Sequence, residues 1–285
     1  MSEGATVQPI NSEHWRGQAI RLLAEGFPKR PIDFWEQAFE GMVVPQGAWP
    51  GYLIVANGSD AVGVLLLVYG SRERDGTCLI SAGLSSLYVR EGFRVYAPKL
   101  IQEACRQPGK VYVAATARAA VRRLYEVLGF KKLTDGMYLT SIGFNRNHDC
   151  RARVSGFSPG TFPLSASDAR LLEDHARLGC LTAVIEAENA ITPLVLYTKR
   201  LWRMPVAALV LYCGNRQLLN RNLASVHRYL LSVAATPFLL QFVRADERPA
   251  NGIRLHDRYP LYVRCKDSQL AEFDHAYSEF VWLKL

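Results

Sequence analysis

Between residues 121 and 130 the chain reads Val-Arg-Arg-Leu-Tyr-Glu-Val-Leu-Gly-Phe, and Tyr125 within it is the side chain best suited to moving a proton. A phenol with its ordinary pKa near ~10 stays protonated at neutral pH and can give its proton to a departing group. Val121, Leu124, Val127 and Leu128 recur at helical spacing, and Gly129 supplies a left-handed stop four residues after the tyrosine. The same ten residues also read as an ordinary amphipathic helix with Tyr125 packed at the rim of a core.

Upstream, residues 80–89 read as a strand, 90–96 as a loop and 97–105 as a helix. A strand, a turn and a helix start in that order gather unpaired amides and the positive end of a helix dipole at one point, where a pyrophosphate fits. Arg94 and Lys99 can add charge-assisted bonds there, or form a solvated basic helix start.

The run around Tyr125 resembles the last helix of the GNAT superfamily of acyl-CoA-dependent N-acyltransferases, in which a tyrosine-to-Gly-Phe spacing closes the cofactor-binding half of the fold. The resemblance implies that acetyl-CoA or another acyl-CoA is the co-substrate, with no metal, and that Tyr125 protonates the thiolate leaving it. It implies further that the pantetheine arm lies along the main chain near Leu87 and Val89, where an exposed amide can hold the oxyanion, and that the strands ending at Val89 and running through 110–115 splay apart around it.

The superfamily's pyrophosphate pattern, Q/R-x-x-G-x-G/A, is matched only in part. Arg94 takes the first place while Ala97 and Lys99 stand at those of the glycines; setting the loop on Ala97-Pro98 instead leaves it two residues short, with Val95 replacing a glycine. Arg94, Val95, Tyr96, Ala97 and Lys99 are therefore the residues assigned to the diphosphate. Arg118 stands where many members have asparagine, and no carboxylate or histidine occurs in 80–89 to act as a base.

Recognition of a small amine or amino-acid-like acceptor falls to Phe27 and Arg30 in the loop 26–30, to Trp35, and to Ser85. Trp35 also reads as a core aromatic and Ser85 as a residue bonding neighbouring backbone. Near the end, Asp274, His275, Tyr277 and Glu279 form a polar cluster. From it Glu279 can reach a cleft as the missing base, although a helix-to-strand turn explains the same residues.

Positioning these groups requires helices at 13–25 and 31–42, strands at 52–56 and 62–69 around the hairpin turn Asn57-Gly58-Ser59-Asp60, then the elements above, and a strand at 136–142. That is the GNAT order of elements. Residues 145–162 are rich in Arg, Ser, Gly and Pro and read as a linker. Beyond it the plan repeats: a helix at 167–178 capped by Ser167, a hairpin at 181–187 and 191–199, strands at 206–212 and 238–243 flanking a helix at 220–233, and strands at 261–264 and 279–285.

The expected fold is α/β (α+β), with two GNAT-like domains, each a mixed, mostly antiparallel sheet flanked by helices, and a splayed parallel pair in the first. The boundaries read 1–144 for the acyl-CoA-binding domain, 145–163 for the linker and 164–285 for a degenerate second domain that shapes the substrate site.

The chain has 285 residues, 49% of them hydrophobic, and six cysteines scattered without close pairs. No apolar run reaches the ~18 residues of a membrane span, so a cytoplasmic protein with reduced thiols is expected, not a membrane partner. The net charge of +8 is spread over both halves without a basic stripe, so nucleic acid is not the expected partner; a homodimer is compatible. Three functions fit: an acyl-CoA-dependent N-acyltransferase, a catalytically inactive GNAT-fold binding or scaffolding protein, and an aminoacyl-tRNA-dependent transferase.

Overall fold

The computed structural model describes residues 4–74, 77–107, 110–115, 119–134, 136–142, 152–187, 189–201, 204–244, 249, 251–255, 260–265 and 274–283. The chain opens with the strand Thr6–Pro9 (β1), followed by helices Glu13–Gly26 (α1) and Ile32–Gly41 (α2). Ser12 caps α1 by accepting a bond from the Trp15 N–H, and α1 buries Ala19, Ile20, Leu22 and Leu23 against Trp35 and Phe39 of α2. Strands Gly51–Ala56 (β2) and Asp60–Arg74 (β3) form the hairpin. Asn57 and Gly58 both take positive φ, 51° and 72°, the left-handed pair that a tight hairpin turn needs.

Next come Thr77–Val89 (β4), a 3-10 helix at Glu91–Tyr96, helix Ala97–Ala104 (α3), strand Lys110–Ala114 (β5), helix Ala119–Val127 (α4), and strands Lys131–Lys132 (β6) and Met137–Ser141 (β7). The rest comprises Arg153–Gly156 (β8), Ala166–Arg177 (α5), Leu181–Ala187 (β9), Ala190–Leu201 (β10), Met204–Cys213 (β11), Arg216–Arg221 (α6), Leu223–Ala234 (α7), Phe238–Phe242 (β12), Ile253–Leu255 (β13), Tyr262–Arg264 (β14) and Glu279–Trp282 (α8).

These strands form two seven-stranded sheets, ordered β1-β2-β3-β4-β5-β14-β6 and β13-β7-β12-β11-β10-β9-β8. Each is antiparallel except for one parallel pair, β4 with β5 and β11 with β12. The sheets do not divide at one point in the chain. β14 lies between β5 and β6 of the first sheet, and β7 lies between β12 and β13 of the second. Each sheet is therefore closed by a strand that the sequence places with the other.

Helices α3 and α4 cover one face of the first sheet, and α1 and α2 cover part of the other. A cluster containing Val111, Val113 and Val263 from the first sheet and Val184, Val195 and Leu209 from the second joins the two sheets. Helices α6 and α7 close the far side.

Several elements differ from the sequence expectation. Arg153–Gly156, read as linker, pairs with β9 as an edge strand. The cap of α5 is Ser165, whose oxygen accepts from the Asp168 N–H at 3.1 Å, so Ser167 falls inside the helix. The helix expected over 220–233 is two helices, because the Asn222 side chain bonds back to the Leu218 carbonyl and ends the first. Residues 279–282 are helical: Phe280 and Val281 pack into the inter-sheet cluster while Leu283 packs under α1 and α2. A segment buried on all sides carries no period to read.

Two predictions follow from the exchanged strands. Residues 1–144 alone lack β14 and Leu283, so this fragment is expected to show no cooperative urea transition, whereas the whole chain unfolds in one. The Nε2 of His227, on α7, lies 3.1 Å from Thr140 Oγ1 on β7. Burial lowers the His227 pKa to about 4, and burial together with Arg216 lowers that of His275 to about 3. Both rings are neutral when folded, so their stabilisation is complete above about pH 6.5 and is lost as pH falls toward those values. Urea melts at stepped pH should show this decline, and His227→Gln should flatten it.

Candidate functional site

The spacing from Tyr125 to Gly129 and Phe130 has a structural cause. Gly129 takes φ 83°, the Phe130 N–H bonds the Tyr125 carbonyl and the Gly129 N–H bonds the Glu126 carbonyl, both at 3.0 Å. This is a Schellman stop, and its usual apolar contact is the edge-on packing of Phe130 on Tyr125, ring centroids 5.0 Å apart. The tyrosine, the glycine and the phenylalanine thus fix the end of α4 together.

Tyr125 is 3% exposed. On its other side lies Tyr262 of β14, stacked at 6.2 Å, whose hydroxyl donates to Glu126 Oε1 at 2.9 Å. Burial raises the pKa of the Tyr125 phenol well above its ordinary value, and the carboxyl of Glu279 and the thiol of Cys105 add to the effect. The proton is firmly held. Cys105 is buried too, and its thiol is pushed up to about 12, which makes it no nucleophile.

The strands behind Tyr125 split. β4 and β5 pair from Ile80 opposite Lys110 to Gly83 opposite Val113 and no further. Against β3, Ser85 faces Leu66 and Tyr88 faces Val64, so that Ser86 and Leu87 together oppose Leu65. Ser86 takes φ 55° to make this bulge. A bulge twists and re-aims its strand, and here it directs residues 84–89 away from β5. Among the described residues, that stretch has no strand partner on the β5 side.

Leu87 is half-buried and Val89 is buried, both against the α3–α4 side of the sheet. Ser85 is buried, with its hydroxyl 3.3 Å from that of Ser86. The expected diphosphate loop is the 3-10 helix, which runs directly into α3. The Ala97 N–H is used on the Arg94 carbonyl and Pro98 has none, so neither residue adds to the amide cradle expected at this helix start. Arg94, Val95 and Lys99 are exposed, and the Tyr96 hydroxyl accepts from the Ala5 N–H at 3.4 Å. Arg90, just before them, is tied to Glu25 at 2.9 Å.

The acceptor residues separate. Phe27 and Arg30 are half-exposed, and Arg30 lies over the Phe34 ring at 4.5 Å. Trp35, at 2% exposure, is a core residue beside Phe27 and Phe34 and has no substrate-facing surface. Arg118 lies outside the described residues.

Beneath the point where β4 and β5 part, Val68, Ser81, Gly83, Val113 and Ala115 line a pocket closed by the segment Ala276–Glu279. Its inner space holds no more than about one water. The sequence signalled Glu279 as a candidate base; nothing signalled Tyr262, whose place depends on strand exchange.

Neither a family model nor a curated protein sequence matches the chain. Solved structures do. A GCN5-related N-acetyltransferase from Anabaena variabilis superposes with a TM-score of 0.60 over 94% of this chain and 74% of that chain, at 13% identity. A second, from Kribbella flavida, gives 0.50 over 93% and 73% at 12% identity. The fold is that of the GCN5-related N-acetyltransferases. A glucosamine N-acetyltransferase region of a fungal GH3 β-N-acetylglucosaminidase shares the fold as well, with a TM-score of 0.53, 10% identity and coverage of 93% of this chain and 38% of that chain. At such identities the likeness is one of fold. Both GNAT-like sheets take part in it, since almost the whole chain is covered in each case.

Gly129→Ala forces a Cβ into the left-handed conformation and should cost roughly 1–2 kcal/mol. Tyr125→Ala, which empties the space between Phe130 and Tyr262, should cost about 3–5 kcal/mol. Guanidinium denaturation of the two variants checks both values and their order.

Proposed function

We propose that the protein is an acyl-CoA-dependent N-acyltransferase, an acetyltransferase in the first instance, acting on a small amine or amino-acid-like acceptor. The observation that carries this reading is the split between β4 and β5 beside the Ser86–Leu87 bulge, with α4 bringing Tyr125 to the same side of the sheet as Leu84 and Ala114. An open strand edge suits the amide-rich pantetheine arm, since it offers donors and acceptors at strand spacing. The main chain at Leu87 and Val89 would hold that arm, and an amide at the bulge would face the oxyanion.

The diphosphate fits less well. With the Ala97 amide committed and Pro98 lacking one, its charge would be met by the side chains of Arg94 and Lys99. Affinity resting on exposed cations is sensitive to salt. The acceptor nitrogen attacks the thioester carbon directly, and Tyr125, whose burial keeps it protonated throughout the physiological range, faces the sulfur as hydrogen-bond and proton donor.

A second reading, a binding or scaffolding protein of the same fold, is favoured by the closed packing of Tyr125 and by the 3-10 helix in place of a phosphate loop. Titration calorimetry with acetyl-CoA and longer acyl-CoAs, paired with a thiol-release assay over an amine panel, separates the two. The enzyme binds and releases thiol; the scaffold does not exceed the background. In the enzyme, Tyr125→Phe should lower kcat about 10²-fold or more with little change in binding, and Arg94→Ala should weaken binding roughly 10-fold, the worth of a charged hydrogen bond.

A further inference from the structure

The pocket on the opposite face of the first sheet from Tyr125 has a construction that core packing does not require. Along β4 and β5, alternate residues face opposite ways. Ala82, Leu84, Tyr112 and Ala114 share a cluster with Tyr125, whereas Ser81, Gly83, Val113 and Ala115 line the pocket with Glu279. Glu279 is 2% exposed. It lines the pocket on one face of the sheet while Tyr125 packs on the other, and its carboxyl adds to the effect of burial in raising the pKa of the phenol.

The segment that carries Glu279 is held with care. Tyr277 takes φ 56°, a conformation that a bulky residue adopts only when its surroundings impose it. Its hydroxyl donates to Asp174 Oδ2 at 2.8 Å, and its N–H donates to His175 Nε2 at 3.1 Å. The other ring nitrogen of His175 is bound to the Leu171 carbonyl at 2.8 Å, which sets the tautomer. Gly70 of β3 makes room for this turn: a Cβ there would fall 2.8 Å from Tyr277 Cβ and 2.9 Å from Ser81 Oγ. Strain and close approach at one point, both serving to set a carboxyl into a water-sized pocket, mark a working position.

We propose that Glu279 is the proton acceptor of the transfer reaction, taking the proton from the attacking amine directly or through the single water that the pocket admits. The proposal rests on the acyltransferase reading above. The amine nitrogen bonds the acyl carbon, the carbon–sulfur bond breaks with its electron pair going to sulfur, and Tyr125 gives its proton to that sulfur. Glu279 takes the proton that nitrogen must lose and returns it to the phenol through the split, so the products are an amide and a free thiol.

The test measures thiol release from acetyl-CoA over a panel of small primary amines, with pH profiles, for the wild type, Glu279→Gln and Glu279→Asp. Glu279→Gln should lower kcat about 10²–10⁴-fold, leave the KM for acetyl-CoA unchanged and remove the acidic limb of the kcat profile at saturating amine. Glu279→Asp should keep the limb at reduced kcat. Wild-type rates in Glu279→Gln overturn the role of Glu279 while the acyltransferase reading stands; a wild type that releases no thiol with any amine overturns both. Should Glu279→Gln fail to fold, Glu279→Asp decides: a lowered kcat at unchanged KM for acetyl-CoA supports the role, and a wild-type kcat overturns it.

Discussion

Tyr262 reaches Tyr125 only because β14 is hydrogen-bonded between β5 and β6, and most of what distinguishes this molecule depends on that placement. Without β14, the edge of β5 would be open and the phenol of Tyr125 would face a gap in the sheet. With it, the first sheet is continuous, the aromatic stack is complete, and residues 276–283 lie across a face of the first sheet. The reciprocal exchange of β7 into the second sheet makes the coupling mutual, since neither sheet satisfies its backbone groups without a strand from the other.

This coupling bears on the proposed chemistry. Burial holds the Tyr125 proton tightly, which would keep the acid loaded at neutral pH and make full release more difficult. In the proposed reaction a second group must restore the phenol promptly, and the buried carboxyl that lines the pocket beneath the split, among the described residues, is that of Glu279. The 3-10 helix after β4 acts in a different direction. It uses the Ala97 amide internally, so the proposed co-substrate would rely there on two exposed cations.

The second half bears on the first by position. Its helix α5 supplies Asp174 and His175, which clamp Tyr277 in its left-handed turn and so fix the segment that carries Glu279 into the pocket beneath the first sheet.

Local rules made much of this legible from residues alone. The alternation of β2 and β3 about Asn57-Gly58, the cap at Ser12, the helical spacing and glycine stop around Tyr125, and the order of elements all depend on neighbours within a few positions, so the sequence carries them directly. The two-sheet GNAT plan followed from that order. What the residues could not convey was pairing at long range. Nothing local distinguishes Tyr262-Val263-Arg264 as a strand of the first sheet from a strand of the second, and nothing local marks the four residues 279–282 as helix. The role of Tyr125 was likewise divided: its spacing to Gly129 and Phe130 is fixed by the helix stop, while its stacking on Tyr262 and the effect of Glu279 on its phenol arise between residues more than 130 positions apart, which only the packed chain decides.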